Sequence, residues 1–415
     1  GYDSSGIATL VGQQIHKRRA EGKISNLIKK IKEQPLSGTL GIAHTRWATH
    51  GAPNEVNAHP HANSKVAIVH NGIIENYREL SSELISRGHV FETETDSEVI
   101  LHLLSDLLDK GITPEEAVKE IMPKLTGAFA LGILFAVNKT LIGVKRGSPL
   151  AIGYGDNEIF LGSDAVGLSP FTGKITYLEE GDWVVLNQSK VKIYNSLGKE
   201  IKRPIVTTAL SGQAVEKGGF RHFMHKEIHE QPTMIGNSLN SFLNSQTREI
   251  CLPQLKTDLS KINRINMVAC GTSSFACRIA RYWLEKYAKI PVSVDIGSEY
   301  RYRPLLPSKD ELALFVSQSG ETRDTMASLE IAKENGINTM GLINVAESSI
   351  ARNSDDILTT MAGPEIGVAS TKAFTTQLIT LAALTIELAR LRNTISKEEE
   401  LNLSNSLLEL PAAIA

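Results

Sequence analysis

The feature that most constrains the fold is an alternation of short apolar runs and amphipathic stretches across residues 264–360. The apolar runs occur at residues 264–269, 292–295, 312–316, 338–343 and 357–360. Inner strands of a parallel sheet give continuous apolar runs of this length because both faces of the sheet are covered. The alternation therefore predicts an α/β doubly wound parallel sheet with right-handed crossovers.

Two hydroxyl-rich turns follow strands of this predicted sheet. Residues 317–322 read SQSGET before a helix pattern at residues 323–335, and residues 270–274 read CGTSS after the first strand. A strand-to-helix turn directs backbone N–H groups and the positive helix end at one spot, which favours an anion. A single hydroxyl there would be an ordinary helix cap, whereas three hydroxyls and a similar turn upstream predict a phosphate site.

Length, charge and cysteine content narrow the number of domains, the class of partner and the cellular compartment that we expect. The 415 residues exceed what one hydrophobic core usually serves, so we expect two or three domains. Lys and Arg total 44 against 46 Asp and Glu, so no bulk charge argues for nucleic acid or a membrane as a partner. No apolar run approaches the length of a transmembrane helix. Three cysteines are too few for a disulfide framework, which favours the cytoplasm.

Residues 1–205 show a different pattern. Strand and helix patterns are followed from residue 128 to 194 by short β runs with glycine turns, which predicts an α+β layered domain. Five of the eleven histidines fall between His44 and His70. The pair Asn71-Gly72 after a strand is first a turn signal. Alternatively, its side-chain amide and backbone N–H form an oxyanion hole.

The charged residues of this region allow more than one interpretation. Arg46 can form a fork to a carboxylate and Asp96 can pair with an ammonium, so together they would fit the two charged ends of an amino acid. A structural ion pair fits their spacing equally well. A metal site formed by His59, His61 and Asp96 is a further alternative. However, no His-Glu-x-x-His spacing occurs and Pro60 suits a turn, so no metal is expected.

Several motifs of residues 1–205 resemble the glutaminase domain of class II amidotransferases. They read TRWATHG at residues 45–51, NAHPH at 57–61, HNG at 70–72 and ETD at 94–96, with GYDSSG at the start. The resemblance implies an N-terminal-nucleophile glutaminase fold. It also implies that Arg46 holds the glutamine carboxylate, that Asp96 holds its α-ammonium, and that Asn71 and Gly72 form the oxyanion hole. Trp47 would gate ammonia, and the glutamine pocket would also contain Thr49, His50 and His59.

The nucleophile of that family is an N-terminal cysteine whose own amino group acts as the base. In the family this cysteine lies a short way upstream of the position of Gly1, and none of the cysteines Cys251, Cys270 and Cys277 is at a chain end. We therefore expect the chain to be a fragment with a truncated glutaminase domain. As given, it should not hydrolyse glutamine.

The hydroxyl-rich turns, together with EIGVAS at residues 365–370, resemble a sugar isomerase (SIS) domain. The residues that this resemblance places on the phosphate or the sugar are Thr272, Ser273, Ser317, Gln318, Ser319, Thr322, Val368 and Ser370. The expected domains are residues 1–205 (glutaminase), 206–250 (interdomain linker and helix), 251–393 (first SIS domain) and 394–415 (start of a connector to a second SIS domain that the chain lacks).

A glutaminase domain joined to a SIS domain resembles the glutamine–fructose-6-phosphate aminotransferase (isomerizing), or glucosamine-6-phosphate synthase, family over essentially all 415 residues. The resemblance implies that glutamine supplies ammonia in the first domain and that this ammonia aminates fructose 6-phosphate in the second. It further implies a cytoplasmic homodimer without a cofactor. The alternative from another class is a sugar-phosphate-binding or sensing protein with an inert glutaminase-like domain.

Overall fold

The computed structural model describes residues 3–48, 50–187, 190–208, 217–244, 246–308 and 310–415. The chain divides into two units, Gly1–Ser211 and Gly212–Ala415. Each unit buries its own apolar clusters, so the fold of each can be understood from its own core.

In its described part, the first unit consists of antiparallel strands and a group of helices. The strands are β1 (Ser4–Val11), β2 (Gln14–Glu21), β3 (Leu40–Arg46), β4 (His61–Ala62), β5 (Val66–Gly72), β6 (Phe129–Phe135), β7 (Thr140–Arg146), β8 (Ala151–Tyr154), β9 (Ile159–Gly162), β10 (Lys174–Tyr177), β11 (Trp183–Asn187), β12 (Lys190–Tyr194), β13 (Glu200–Ile201) and β14 (Val206–Thr207). The helices are α1 (Ile24–Glu33), α2 (Tyr77–Ser86), α3 (Glu98–Asp109), α4 (Pro114–Ile121) and α5 (Ala165–Leu168).

The sheets of this unit are stacked in layers. The largest has the strand order β13-β12-β11-β7-β6-β5-β4, and the described residues also form sheets β2-β1-β3 and β14-β10-β8-β9. Successive side chains of β6 point to opposite faces. Ile133 therefore packs with the residues of α2, α3 and α4, whereas Leu134 packs with Ala8 of β1 and Ile152 of β8. The α+β layered architecture predicted for this half of the chain is confirmed.

The second unit alternates strands and helices along the chain. Its strands are β15 (Arg264–Ala269), β16 (Val292–Ile296), β17 (Glu311–Ser317), β18 (Asn338–Ile343) and β19 (Asp356–Thr359). Its helices in the described residues are α6 (Phe223–Phe242), α7 (Gly271–Trp283), α8 (Gly297–Tyr300), α9 (Arg323–Glu334), α10 (Ser349–Asn353), α11 (Lys372–Leu391) and α12 (Lys397–Ile414).

These strands form one parallel sheet with the order β16-β15-β17-β18-β19. Both faces are covered, because Leu314 belongs to the apolar cluster that contains α7 and α11, while the adjacent Phe315 belongs to the cluster that contains α9. The doubly wound sheet is therefore confirmed. The winding reverses between β15 and β17, and ligands of such sheets bind outside the carboxyl ends of the strands at this point.

Several element boundaries differ from those that the sequence pattern predicts. Helix α7 begins at Gly271, so Thr272 and Ser273 of the predicted turn at residues 270–274 lie in its first turn. Helix α6 begins at Phe223 and continues through Pro232, within the segment 206–250 for which a linker and a helix were expected. Strand β2 was not predicted, because its polar sequence QIHKRRAE lacks apolar alternation and pairing with β1 holds it in place.

Helix α11 corrects one expectation. It is 20 residues long and apolar enough, by length and composition, to cross a membrane, whereas no run of that length was expected. However, 67% of this apolar window is buried within the protein. Leu381, Leu384 and Leu388 of α11 belong to the largest apolar cluster of the second unit. The apolar surface of α11 is therefore used for core packing.

The parallel sheet predicts a large contrast between two identical substitutions. Leu314→Ala removes a side chain with 0% exposure and leaves a cavity, so it should cost about 2–5 kcal/mol of unfolding free energy. Leu306→Ala, at 85% exposure, should change it by less than about 0.5 kcal/mol. Hydrogen exchange of the β17 amides would measure both, and equal effects would contradict the assignment of Leu314 to the core.

Candidate functional sites

The first candidate site is a cavity of about 490 Å³ in the first unit, at the ends of β3 and β5 and beside the segment that leads into α3. The residues that the sequence assigned to glutamine and that line this cavity are Arg46, Trp47, His59, Asn71, Gly72 and Asp96. Residues from distant parts of the chain thus meet in one cavity. Trp47 is 60% exposed, so it lies at the solvent side of the lining.

Arg46 and Asp96 are both buried, and backbone groups hold each of them. The Arg46 guanidinium donates to the carbonyl oxygens of Ala52, at 3.2 Å from Nη1, and of His50. Asp96 Oδ2 accepts a hydrogen bond from the backbone N–H of Ile74 at 2.7 Å. Burial lowers the pKa of Arg46, while the Asp96 carboxylate acts in the opposite direction. No direct ion pair within 4.0 Å joins the two side chains in the described chain, so each remains oriented by backbone.

Asn71 and Gly72 are the last two residues of β5, where they pair with Ala130 and Phe129 of β6. Gly72 has φ +136°, and a Cβ atom there would lie 2.1 Å from the carbonyl oxygen of Ala128. Only glycine allows this backbone approach. The close packing holds the end of β5 in the cavity wall, which both Asn71 and Gly72 line.

The cavity is lined by His44, His59 and His70, and His61 packs beside His59. Burial favours the neutral form of each ring. Burial lowers the pKa of His44 to about 4 and that of His61 to about 3, and it lowers the pKa of His59 well below its ordinary value. Burial also lowers the pKa of His70, although Asp96 acts against it. The rings of His59 and His61 have centroids 4.5 Å apart. At this distance two protonated rings would repel each other, which adds to the effect of burial.

Of the described residues assigned to the glutamine pocket, His50 does not line the cavity. The ring of His50 packs edge-on against Tyr77 at 5.5 Å between centroids. Thr49 lies outside the described residues. For the metal alternative, His61 Nε2 bonds to Thr95 Oγ1 at 3.0 Å and His59 Nε2 bonds to Ser97 Oγ at 2.9 Å. Throughout the described chain, no group of three His, Cys, Asp or Glu side chains is arranged to hold a metal ion.

The second candidate site lies at the carboxyl ends of β15 and β17. These strands are adjacent and parallel, and Ala269 pairs with Val316, so the two hydroxyl-rich turns start side by side. Ser317 Oγ lies 2.9 Å from Thr322 Oγ1 and accepts a hydrogen bond from the Gly320 N–H at 3.0 Å. Ser319 Oγ accepts from the Glu321 N–H at 3.2 Å. The hydroxyls thus converge at the start of α9, where a phosphate would be favoured.

The loop that carries Val368 and Ser370 is tied to this turn through Asn344. The backbone N–H of Asn344 donates to the Gln318 carbonyl at 3.2 Å. Its side chain accepts from the Ala362 N–H at 2.8 Å and donates to the Gly363 carbonyl at 2.7 Å. Val368, which follows the segment held by Asn344, is 73% exposed. The structure therefore links two segments that the sequence could only place on separate turns.

Sequence reasoning missed three residues that support this site. Gln377 of α11 is buried and donates from Nε2 to Ser273 Oγ at 3.0 Å. Glu227 of α6 is also buried, and its Oε1 accepts from the N–H groups of Ile366 at 2.6 Å and Gly367 at 3.0 Å. Asn344 directly follows β18, which is the signal that could have found it. A polar residue inside the apolar helix α11 could similarly have drawn attention to Gln377.

Comparison with known proteins agrees with the presence of these two candidate sites in one chain. Family models match residues 44–170 as a glutamine amidotransferase domain and residues 258–387 as a SIS domain. A protein of Bradyrhizobium diazoefficiens named glutamine--fructose-6-phosphate aminotransferase [isomerizing] is 53% identical over 99% of this chain and 68% of its own length. The chain belongs to the glutamine–fructose-6-phosphate aminotransferase (isomerizing) family. A protein of the same name from Zymomonas mobilis is 51% identical over 100% of this chain and 68% of its own length.

Membership of this aminotransferase family confirms the resemblance drawn from the motifs and the predicted order of a glutaminase-type domain before a SIS domain. Among solved structures, the C-terminal domain of glucosamine-fructose-6-phosphate aminotransferase from Francisella tularensis is 42% identical over 48% of this chain and 56% of that one. Its TM-score is 0.46, and this partial likeness carries no weight in the family assignment.

The neutral histidines predict a loss of stability in mild acid. Because the pKa of His44 is about 4 in the folded protein and about 6.5 when unfolded, the unfolded chain binds the proton first as the pH falls. The full stability is present above about pH 6.5, and this ring alone should remove about 3 kcal/mol by about pH 4. Urea unfolding across this range would measure the loss, and His44→Gln should reduce its slope. Replacing the exposed His16 by Gln should not, and equal slopes would contradict the argument.

The end of β5 predicts a second stability difference. Gly72→Ala should cost about 2 kcal/mol or more, because strained backbone and a collision with Ala128 are combined. Gly88→Ala is the matched control: Gly88 also has positive φ, at +94°, but nothing lies within 4 Å of its Cβ position. Urea unfolding measures the loss of unfolding free energy in both variants. The loss at Gly88 reports backbone strain alone, and the excess at Gly72 reports the collision. A loss at Gly72 no larger than at Gly88 would contradict the close backbone approach.

Proposed function

We propose that this chain binds L-glutamine in its first unit and fructose 6-phosphate in its second, and thereby serves glutamine-dependent synthesis of glucosamine 6-phosphate. The single observation that supports this most strongly is the convergence of Arg46, Asp96, Asn71 and Gly72 on one cavity. The cavity offers a cation, an anion and a strand end with a close backbone approach. An amino acid with a side-chain amide needs these three features.

In the first unit, the Arg46 guanidinium binds the glutamine α-carboxylate and the Asp96 carboxylate binds the α-ammonium. Both groups are buried, which strengthens their interaction with a charged ligand. The side-chain amide of Asn71 and the backbone N–H of Gly72 are placed to stabilise the oxyanion that forms at the glutamine amide when a nucleophile, such as the cysteine that the family resemblance implies, attacks it. Trp47, at the solvent side of the lining, gates the ammonia that is released.

In the second unit, the sugar phosphate binds at the turn between β17 and α9. The phosphate oxygens accept hydrogen bonds from the hydroxyl groups of Ser317, Ser319 and Thr322. The start of α9 contributes the positive end of the helix dipole. The hydrogen bond that joins the Ser317 and Thr322 hydroxyls breaks when each hydroxyl rotates toward the ligand. The sugar is surrounded by Thr272, Ser273, Gln318, Val368 and Ser370.

The domain boundaries, assembly and location follow from the same proposal. The glutaminase domain covers residues 1–205 and the first SIS domain residues 251–393, joined by residues 206–250. The protein is a homodimer of the cytoplasm, and ammonia passes from the first domain to the second without reaching water. Exclusion of water is needed because protonated ammonia is not a nucleophile. Sedimentation at micromolar concentration would test the dimer.

Two substitutions test the two sites independently, with binding as the readout. Asp96→Asn keeps an acceptor for the Ile74 N–H but removes the charge, so L-glutamine should bind about 10- to 100-fold more weakly, as expected for one charge-assisted hydrogen bond. Thr322→Ala should weaken fructose 6-phosphate binding by a similar factor. Each variant should leave the other ligand unaffected and so is the other's control. Titration calorimetry measures all four affinities.

The outcomes separate the candidate functions. Binding of fructose 6-phosphate without binding of glutamine by the unmodified chain would favour a sugar-phosphate-binding protein with an inert glutaminase-like domain. Unchanged fructose 6-phosphate affinity in the Thr322→Ala variant would contradict the phosphate assignment at the start of α9.

A further inference from the structure

Ser97 occupies an unusual position in the wall of the glutamine cavity. It is 1% exposed, and its hydroxyl lies between two buried imidazoles. The distance from Ser97 Oγ is 2.8 Å to His70 Nδ1 and 2.9 Å to His59 Nε2. Both rings line the cavity. One hydroxyl therefore connects two histidines that have no direct hydrogen bond to each other in the described structure.

The other nitrogen of each ring is buried and has no partner among the described residues. These nitrogens are His59 Nδ1 and His70 Nε2. A buried imidazole nitrogen without a partner is costly, so it is retained where a ligand or water completes it. The adjacent Asp96, which the proposed function assigns to the ammonium of glutamine, has its Oδ1 at 3.4 Å from the same Ser97 hydroxyl.

A serine hydroxyl carries only one proton, which couples the states of the two neutral rings. If Ser97 donates to His70 Nδ1, it accepts from His59 Nε2–H, and both rings carry their proton on Nε2. If it donates instead to His59 Nε2, it accepts from His70 Nδ1–H, and both rings carry their proton on Nδ1. In either of these arrangements the two rings share one tautomer, whereas donation from Ser97 to Asp96 Oδ1, at 3.4 Å, would make both rings donors and give them opposite tautomers. The shorter distances to the rings favour the first two arrangements. The unpartnered nitrogens of the two rings then form a complementary pair, one N–H donor and one acceptor.

The hydroxyl is not needed for the start of helix α3. Ser97 stands at the N-cap position, where a serine side chain often accepts a backbone N–H. Here the Ser97 side chain makes no capping hydrogen bond. Its polar contacts are made to the two rings and to Asp96. The role of Ser97 is therefore directed at the cavity.

We propose that Ser97 is a positioning residue of the glutamine site, which couples the tautomers of His59 and His70 and so fixes how these two rings are held in the cavity wall beside Asp96. This inference rests on the proposed function of the first unit. Ser97 acts through the two rings that it holds.

The most direct experiment observes the two rings in the unmodified chain. Long-range ¹H–¹⁵N spectra of protein labelled with ¹⁵N-histidine distinguish the two neutral tautomers of each ring. We expect His59 and His70 to show the same tautomer, and Ser97→Ala to abolish this match while Ser97→Thr preserves it. Opposite tautomers in the unmodified chain would mean that Ser97 donates to Asp96 instead, and would overturn the proposal.

Binding of L-glutamine provides the functional readout. Ser97→Ala should weaken it about tenfold, the effect of losing one hydrogen bond of ordinary strength, whereas Ser97→Thr should restore it. The matched control is Ser105→Ala on the same helix, because Ser105 is also buried but bonds to Leu101 and Asn63. Fructose 6-phosphate affinity should remain unchanged in all three variants, which verifies folding of the second unit.

The failures of the two proposals are distinguishable. If the unmodified chain does not bind glutamine, the proposed function fails, while the ring spectra still decide whether Ser97 couples the tautomers. If the unmodified chain binds glutamine and Ser97→Ala binds it equally well, only the positioning role fails. If Ser97→Ala does not fold, the Ser97→Thr variant and the spectra of the unmodified chain carry the test.

Discussion

The constraint on which both candidate sites depend is that a buried polar group must have a hydrogen-bond partner. In each unit, loop backbone is held at the site by a buried or half-buried side chain that accepts its N–H groups. Asp96 accepts from Ile74, Glu227 accepts from Ile366 and Gly367, and Asn344 accepts from Ala362. These side chains keep irregular segments in one conformation, because losing either partner would leave an unpaired buried group.

This constraint also explains why the first site is rich in histidine. A neutral imidazole can donate with one nitrogen and accept with the other, so it connects buried hydroxyls without bringing a charge into the interior. His61 bonds to Thr95, while His59 and His70 bond to Ser97. Among the described residues that line the cavity, the charged side chains are therefore Arg46 and Asp96, the pair proposed to bind the two charged ends of an amino acid.

The second unit shows how far sequence reasoning reached. The parallel sheet and the turn at residues 317–322 were predictable because apolar runs and turn residues act locally. The start of α7 was not, because Cys270, a non-standard cap without a side-chain hydrogen bond, precedes the helix and gave no start signal. Strand β2 was missed because pairing with β1 outweighs its polar sequence. Motif resemblance marked most of the residues that were found to line the first cavity, but it did not mark Ser97, which directly follows the ETD motif.

The sequence by itself determined the two architectures, their order along the chain and the segments that carry chemistry, since periodicity and turn composition depend only on near neighbours. Only the tertiary structure decided which polar residues cooperate. Gln377 meets Ser273 across two helices, and Ser97 joins His59 to His70. These partners are far apart in sequence, and a hydrogen bond between them depends on how strands and helices pack, which no local pattern encodes.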